Sequence, residues 1–403
     1  MKSKRFLMLS TAFLFCCFVR PAFSGPATKP LLPIFDFLND IEYTSRFKIE
    51  YDDNIFSVED RQDSDFRQVF TQGLSYRLPK ENYYFEWGYT GNYAYYDQEA
   101  TGLLGHSANV LYSYRPFSNV SIGLRDDYNW LGDSKISTTL GDRVFALGYI
   151  QNTPAVEVKY ELSPSYTLKA DTYYQFLDVV DSSNDDFIDN KRVGISSQLE
   201  YNFTPQKSLV GFLGLGYSRI DFSQTVEKAS TTQRLFVGVT EKIPGLIKLT
   251  QEIGFADIDM EENSNMDDAN IDYKFSAETI FSVYTKLNLA INLSTRNPSL
   301  RSDYTQYTSN AAVLGVSHVI SPKTSAGLSY SYEDQDFLAS DVLIGQPKVH
   351  KNTRVQGLEF DIVRKIKSWL TLDLKYEYTK RDTDFEQEGY IDNRYSATFT
   401  VKY

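Results

Sequence analysis

Apolar and polar side chains alternate at every second residue in several short stretches of the chain. The clearest stretch covers residues 83–96, where aromatic side chains take nearly every odd position, while Glu86, Thr90 and Asn92 take even ones. Successive side chains of a β-strand point to opposite faces, so this stretch predicts a strand with one aromatic face and one polar face. The same alternation recurs at residues 120–125, 166–176, 192–203, 287–296 and 370–378.

Short connections alternate with longer polar ones between these stretches. Proline presets a turn and ends strand pairing. Short connections with Pro or Gly lie near residues 79–81, 116–118, 163–165, 204–206, 244–245 and 321–323, and long ones lie near residues 52–65, 97–105, 131–141, 178–190, 222–230, 257–268, 297–305, 336–350 and 381–390. Transmembrane barrels have short periplasmic turns and long extracellular loops. We therefore predict an all-β fold, an antiparallel up-and-down transmembrane β-barrel of about 18 strands, with 16 as the alternative.

The composition supports a barrel rather than a helical membrane protein. Aromatic residues make up 15% of the chain, with 30 Tyr and 27 Phe, yet the mean hydropathy is only −0.37. A barrel accounts for both values, because only every second residue faces lipid and aromatic girdles mark the two membrane interfaces.

The first residues predict export. Lys2, Lys4 and Arg5 precede an apolar run at residues 6–19, and small residues flank Phe23. This pattern is typical of a secretory signal peptide, which we assign to residues 1–24. Residues 25–41 contain three prolines and are interpreted as a periplasmic lead-in, and residues 42–403 as the barrel.

Both cysteines, Cys16 and Cys17, lie in the predicted signal peptide, so we expect no disulfide and no cysteine-bound metal in the mature protein. Removing residues 1–24 takes away four of the 41 basic groups and none of the 53 acidic ones, which leaves a net charge of about −16. Nucleic-acid binding depends on Lys and Arg. We therefore predict no nucleic-acid partner, and we predict no cofactor.

The final stretch resembles a signal read by the barrel-assembly machinery. Tyr395, Phe399, Val401 and Tyr403 take alternate positions and end on an aromatic residue. We expect the protein to lie in the cell outer membrane, in contact with its lipid and lipopolysaccharide, after insertion by that machinery.

Charged residues on the polar phase of the strands are the candidate lining of the barrel interior. Their signs are mixed and roughly balanced, so two interpretations stay open: the wall of a conducting path, or a salt-bridged wall that supports the cylinder. The candidates are Arg46, Lys48, Glu50, Glu86, Arg125, Asp127, Lys169, Asp171, Arg192, Glu200, Arg234, Glu252, Lys274, Arg296, Asp373 and Lys375.

Catalytic and metal chemistry is weakly indicated. The histidines are His106, His318 and His350, and strand phase directs the first two outward. Acidic segments at residues 181–189 and 257–268 offer oxygen ligands that suit Ca²⁺, but their spacing favours solvated loops.

We predict a conduit for small polar solutes or a polysaccharide strand. The alternatives are a non-conducting accessory barrel of an envelope or exopolysaccharide export system and, least favoured, an outer-membrane hydrolase.

A further local pattern lies near the N-terminus. It consists of residues 51–56, 64–66 and 73–78, the aromatic strand through Tyr95 and Tyr96, and His106. This stretch resembles the type 2 family of β-barrel porins. The resemblance is most specific over about residues 48–130. It implies an outer-membrane barrel, and some relatives of that family are linked to exopolysaccharide synthesis and export.

Overall fold

The computed structural model describes residues 41–54, 64–97, 102–131, 149–179, 190–204, 206, 208–222, 229–260, 268–296, 304–339, 350–384 and 389–402. The predicted signal peptide and residues 25–40 of the predicted lead-in lie outside these ranges. Among the described residues, no helix is long and apolar enough to cross a membrane.

Eighteen β-strands follow one another along the chain. They are β1 (Ile41–Asp52), β2 (Asp65–Pro79), β3 (Tyr83–Tyr96), β4 (Gly102–Phe117), β5 (Val120–Leu131), β6 (Tyr149–Glu161), β7 (Tyr166–Val179), β8 (Asn190–Asn202), β9 (Leu209–Phe222), β10 (Ser230–Ile243), β11 (Ile247–Met260), β12 (Asp268–Ser282), β13 (Thr285–Arg296), β14 (Tyr304–Ser321), β15 (Thr324–Ala339), β16 (His350–Lys367), β17 (Leu370–Thr383) and β18 (Tyr390–Lys402).

The strands form one closed antiparallel sheet. Each pairs with its neighbours in the chain, as in β9 with β10 and β10 with β11. The first strand pairs with the second and with the last, from Thr44 opposite Lys402 to Asp52 opposite Arg394. Closure leaves no strand edge with unpaired backbone groups. The prediction of an 18-stranded antiparallel barrel is confirmed.

Connection length separates the two ends of the barrel. Connections such as residues 118–119, 283–284, 322–323 and 368–369 lie at what we call the short-turn end, where the longest covers residues 203–208. Most connections at the other end, which we call the long-loop end, are longer than that one. The turn between β10 and β11 contains Gly245 at φ 73°, in the left-handed region that glycine adopts without the steric cost of a Cβ.

Large apolar side chains point outward. On β9, for example, Leu213, Leu215 and Tyr217 are exposed, while Phe212 and Ile220, on the other face, are buried. The period-two alternation therefore separates an apolar outer wall from an inner wall, because adjacent residues of a strand cannot share a face.

β6 contains an internal proline. The β6–β7 ladder pairs Asn152 with Phe176 and Ala155 with Tyr173, and it is interrupted between these pairs. Pro154 has no N–H to contribute there. The strand nevertheless keeps its register on both sides of the break.

Two inward phenylalanines lie on glycines of the adjacent strand. Phe236 is opposite Gly214 and Phe212 is opposite Gly238. A Cβ at Gly214 would come within 2.2 Å of the Phe236 ring, and one at Gly238 within 2.3 Å of the Phe212 ring and 2.4 Å of the Gln251 carbonyl oxygen. These glycines leave space for the rings to lie flat on the wall.

We predict that Gly238→Ala destabilises the barrel, because its Cβ clashes with a backbone oxygen as well as with a ring. A loss of about 1–3 kcal/mol is typical of such overpacking. The measurement is urea unfolding of detergent-folded protein. Gly216→Ala is the matched control, since its nearest neighbour would be the Arg234 Cβ at 3.8 Å. Equal unfolding midpoints for the two variants would contradict the packing described here.

Candidate functional site on the inner wall

Strand register places the sixteen candidate lining residues on the face opposite the exposed apolar side chains. On β5, Leu124 and Tyr128 are exposed on the outer wall, and Arg125 and Asp127 between them point inward. For Arg296 only the backbone is described, and its strand phase is inward. Whether these residues line a path for solute stays a prediction.

Most of these charges are paired across neighbouring strands or along one strand. Lys169 Nζ lies 2.6 Å from Glu200 Oε1, and Lys375 Nζ lies 3.1 Å from Glu359 and 2.9 Å from Glu377. Arg125 pairs with Asp127, Glu86 pairs with Arg77 at 3.1 Å and accepts from the Tyr84 hydroxyl, and Asp171 accepts from the Ser196 hydroxyl.

Arg234 is the centre of a bridge over three strands. Its Nη2 lies 2.6 Å from Glu252 on β11, and its Nε lies 2.8 Å from Asp272 on β12. Lys274 lies 3.4 Å from the same Glu252 oxygen, and the guanidinium lies 5.0 Å from the ring centre of Phe236. Two carboxylates and two cations thus balance on one patch of the wall.

Three candidates are less fully satisfied. Arg46 is exposed and forms no ion pair with any described residue. Arg192 Nε and Asp373 Oδ1 are buried and find no hydrogen-bond partner within the described part of the chain. A buried polar atom that lacks a hydrogen bond costs free energy, so Arg192 and Asp373 are places where the inner wall is locally less stable.

The closing strands carry a buried ion cluster near the long-loop end, which we call the seam cluster: Lys48, Glu50, Asp52, Arg67, Asp392 and Arg394. Glu50 is 1% exposed and pairs with both Lys48 and Arg67. Arg394 Nη2 lies 2.7 Å from Asp392 Oδ2, and its Nε lies 3.7 Å from Asp52.

Hydrogen bonds beside this cluster link β1 directly to β18. The Asp53 carboxylate accepts from the backbone N–H of Asn393 at 2.6 Å and from its amide at 2.7 Å. The Asn54 amide donates to the Ile391 carbonyl at 3.0 Å. Carboxylate oxygens of Asp52, Asp53 and Asp392 lie within 4.8 Å of one another, and Arg394 already compensates part of their charge.

Sequence reasoning missed several inner-wall residues. Arg67 lies on β2, whose alternation we did not use, although exposed Phe66 on the same strand marks the outer phase. Asp272, Glu359 and Glu377 lie on strands whose phase the neighbouring apolar residues reveal, but their partners are set by register between strands.

Seven large apolar or aromatic side chains are buried on the inner wall near the long-loop end, among buried polar residues such as Ser309 and Thr353. We call this set the apolar collar; its members point inward, lie at or near the ends of their strands and are at most 8% exposed. They are Tyr96, Tyr149, Leu177, Ile220, Ile258, Tyr307 and Phe337. Tyr307 and Phe337 stack with ring centres 4.9 Å apart. A hydrophobic constriction can stop water and ions by dewetting.

The histidines do not form a shared site on the described wall. His106 Nδ1 lies 2.6 Å from the Tyr89 hydroxyl, and its ring stacks on Trp130 at 5.0 Å. His318, on β14, bonds the Thr285 hydroxyl at 2.9 Å. The side chain of His350 and most of the acidic segments 181–189 and 257–268 lie outside the described residues.

Three of the predicted assembly-signal residues share the outward face of β18. Tyr395 and Phe399 are exposed there, whereas Val401 is buried, and Tyr403 lies outside the described residues. Recognition of this strand by the assembly machinery stays a prediction.

Known proteins resemble this chain in fold alone. No protein-family model matches the sequence, and no curated protein does. Among solved structures, OccAB4 from Acinetobacter baumannii has a TM-score of 0.50 at 11% identity, over 90% of this chain and 98% of that one. The siderophore receptor PirA from Pseudomonas aeruginosa has a TM-score of 0.50 at 11% identity, over 90% of this chain and 80% of that one.

The fold and these neighbours define a class. The chain is a closed 18-stranded antiparallel barrel of the kind found in outer-membrane porins and receptors.

We predict that Glu50→Ala destabilises the barrel strongly, because it removes the buried carboxylate that pairs with both Lys48 and Arg67. Breaking a buried pair costs about 3–5 kcal/mol. Denaturant unfolding, read out by the heat-dependent gel mobility of folded barrels, measures it.

The matched control is Glu42→Ala at the other end of the same seam. Glu42 is 35% exposed and its partner Lys402 is 59% exposed, so its loss costs less than about 1 kcal/mol. If the two variants lose equal stability, the seam cluster does not hold the closure.

Proposed function

We propose that the protein lies in the outer membrane and conducts small polar solutes or a polysaccharide strand. One observation carries the proposal: a closed 18-stranded sheet whose outer wall is apolar and whose inner wall is hydrogen-bonded and charged. Hydrocarbon suits the outer wall, and barrels of 16–18 strands enclose an aqueous lumen unless it is filled.

The inner wall supports a solute of mixed or neutral character. Most of its charges are paired within the wall, as in the Arg234 bridge, so the described residues form no ring of one sign. Hydroxyl and amide groups, including Asn288, Ser317 and Ser329, share the wall with them. Such groups exchange hydrogen bonds with sugars and other polar solutes without demanding a charge.

A second function is favoured by the apolar collar. A barrel that is constricted at one end by large side chains would conduct little, and it could act as an accessory component of an envelope or exopolysaccharide export system. The resemblance to the type 2 porin family supports that setting. Partners under this proposal are lipopolysaccharide, the assembly machinery and export components.

Planar-bilayer recording decides between the two functions. We expect stable single-channel steps from the wild-type protein, and a larger conductance, by a factor of about two or more, from the double variant Tyr307→Ser with Phe337→Ser. Its physical reason is that polar side chains keep water in a constriction that apolar ones empty.

Ser329→Ala is the control, because Ser329 lies on the inner face of β15 away from the collar; its conductance should equal that of the wild type. Folded protein that shows no steps in any of the three forms would refute the conduit and favour the accessory barrel.

A further inference from the structure

Outward-facing charges near the long-loop end lie beyond the aromatic residues of their strands. On β17, Leu374, Tyr376 and Tyr378 precede Lys380 and Asp382, which pair at 2.8 Å. On β9, Tyr217 likewise precedes Arg219 and Asp221, which also pair at 2.8 Å. This order is that of an apolar band, an aromatic girdle and a hydrated rim.

Asp126 on β5 reverses this order. It is exposed on the outer wall between Leu124 and Tyr128, and Trp130 follows further toward the long-loop end. The carboxylate therefore lies on the apolar side of the girdle. It forms no hydrogen bond or ion pair with any of the residues that the structure describes.

The break in the β6–β7 ladder lies beside this carboxylate. Pro154 is directly opposite Asp126 in the β5–β6 register, and the ladder between β6 and β7 is interrupted at Thr153 and Pro154. Asn152, next to the break, has a buried side-chain oxygen with no partner in the described chain. Two departures from the ordinary barrel wall, an acidic group and an incomplete ladder, thus coincide on β5 and β6.

Lipid is a poor neighbour for this surface. Hydrocarbon offers no hydrogen bond to a carboxylate or to a backbone group freed from its ladder, and each such group costs free energy there. Ionisable residues within the membrane usually face protein or water rather than lipid tails. A protein surface that brings hydrogen-bond donors to the same depth removes this cost.

The same outer wall carries such donors. The Tyr89 hydroxyl and His106 are joined at 2.6 Å, and Trp130 stacks on His106. Ala108, small and opposite both Tyr89 and Tyr128 in register, lies between these groups and Asp126. A surface that has both an unsatisfied acceptor and exposed donors is self-complementary, which a two-fold interface requires.

We propose that the outer wall of β3–β6 is an interface with a second copy of this chain, in which Asp126 of each copy accepts hydrogen bonds from the donors of the other. The inference rests on the proposed membrane location, because only there does lipid penalise the carboxylate. The lumen is not involved, so each barrel of the dimer keeps its own interior.

The test compares Asp126→Leu with the wild type by sedimentation and native mass measurement in mild detergent. We expect a dimer for the wild type and at least a tenfold weaker association for the variant. A wild-type monomer, or an unchanged monomer–dimer equilibrium in the variant, would overturn the proposal. A variant that unfolds at a higher denaturant concentration than the wild type, with no change in its association, would also overturn the proposal. That result is expected if Asp126 faces lipid.

Two further variants complete the design. Glu241→Leu removes an outward carboxylate on β10, near the short-turn end, and should leave the dimer intact. Ala108→Phe puts bulk on the proposed interface with no change of charge and should also dissociate it, so the test survives if Asp126→Leu fails to fold. Current recorded from the same samples distinguishes the two proposals. An intact dimer that carries no current refutes the conduit alone. Loss of the dimer with an unchanged current per barrel supports the interface.

Discussion

The structure depends on the pairing of its first strand with its last. Every other ladder joins segments that are neighbours in the chain, but the β1–β18 ladder closes a loop of more than 340 residues and abolishes the two edges that an open sheet would expose. Loop closure of that length has an entropic cost that local pairing does not. The seam cluster and the Asp53–Asn393 hydrogen bonds lie at this ladder, where their interactions offset the entropic cost of closure.

Closure also separates two environments with a wall one residue thick. Apolar side chains meet the outside, and the charges on the inside find partners mostly within one or two strands, as in Lys169 with Glu200. Because most of the described charges are neutralised locally, the described inner wall is polar without being strongly anionic or cationic. Near the long-loop end the apolar collar adds large apolar and aromatic side chains to this polar wall.

The exceptions to the general pattern carry the most functional information. Asp126 breaks the outer pattern of apolar residues, girdle and charge, and the collar breaks the inner pattern of polar residues. A barrel needs neither feature in order to close. Each therefore points to a contact that the isolated barrel does not make. For Asp126 this contact is with another protein on the outer wall, and for the collar it is with a molecule that occupies or passes through the long-loop end of the lumen.

The sequence by itself determined the strand count, the alternation of short and long connections and the face on which each candidate residue lies, because a period of two is a local property that adjacent residues set. It placed Glu50 on the inner phase without indicating that Glu50 would share a buried cluster with Arg394. Only the tertiary structure determines that contact, because residues 344 positions apart meet only through the register of the β1–β18 ladder. The collar was missed for a related reason. A single inward apolar residue at a strand end is only an irregularity in the alternation, and closure of the barrel is needed to bring seven such residues to the same end. The resemblance to a porin family and the signal peptide stay predictions, because the barrel fold tests neither of them.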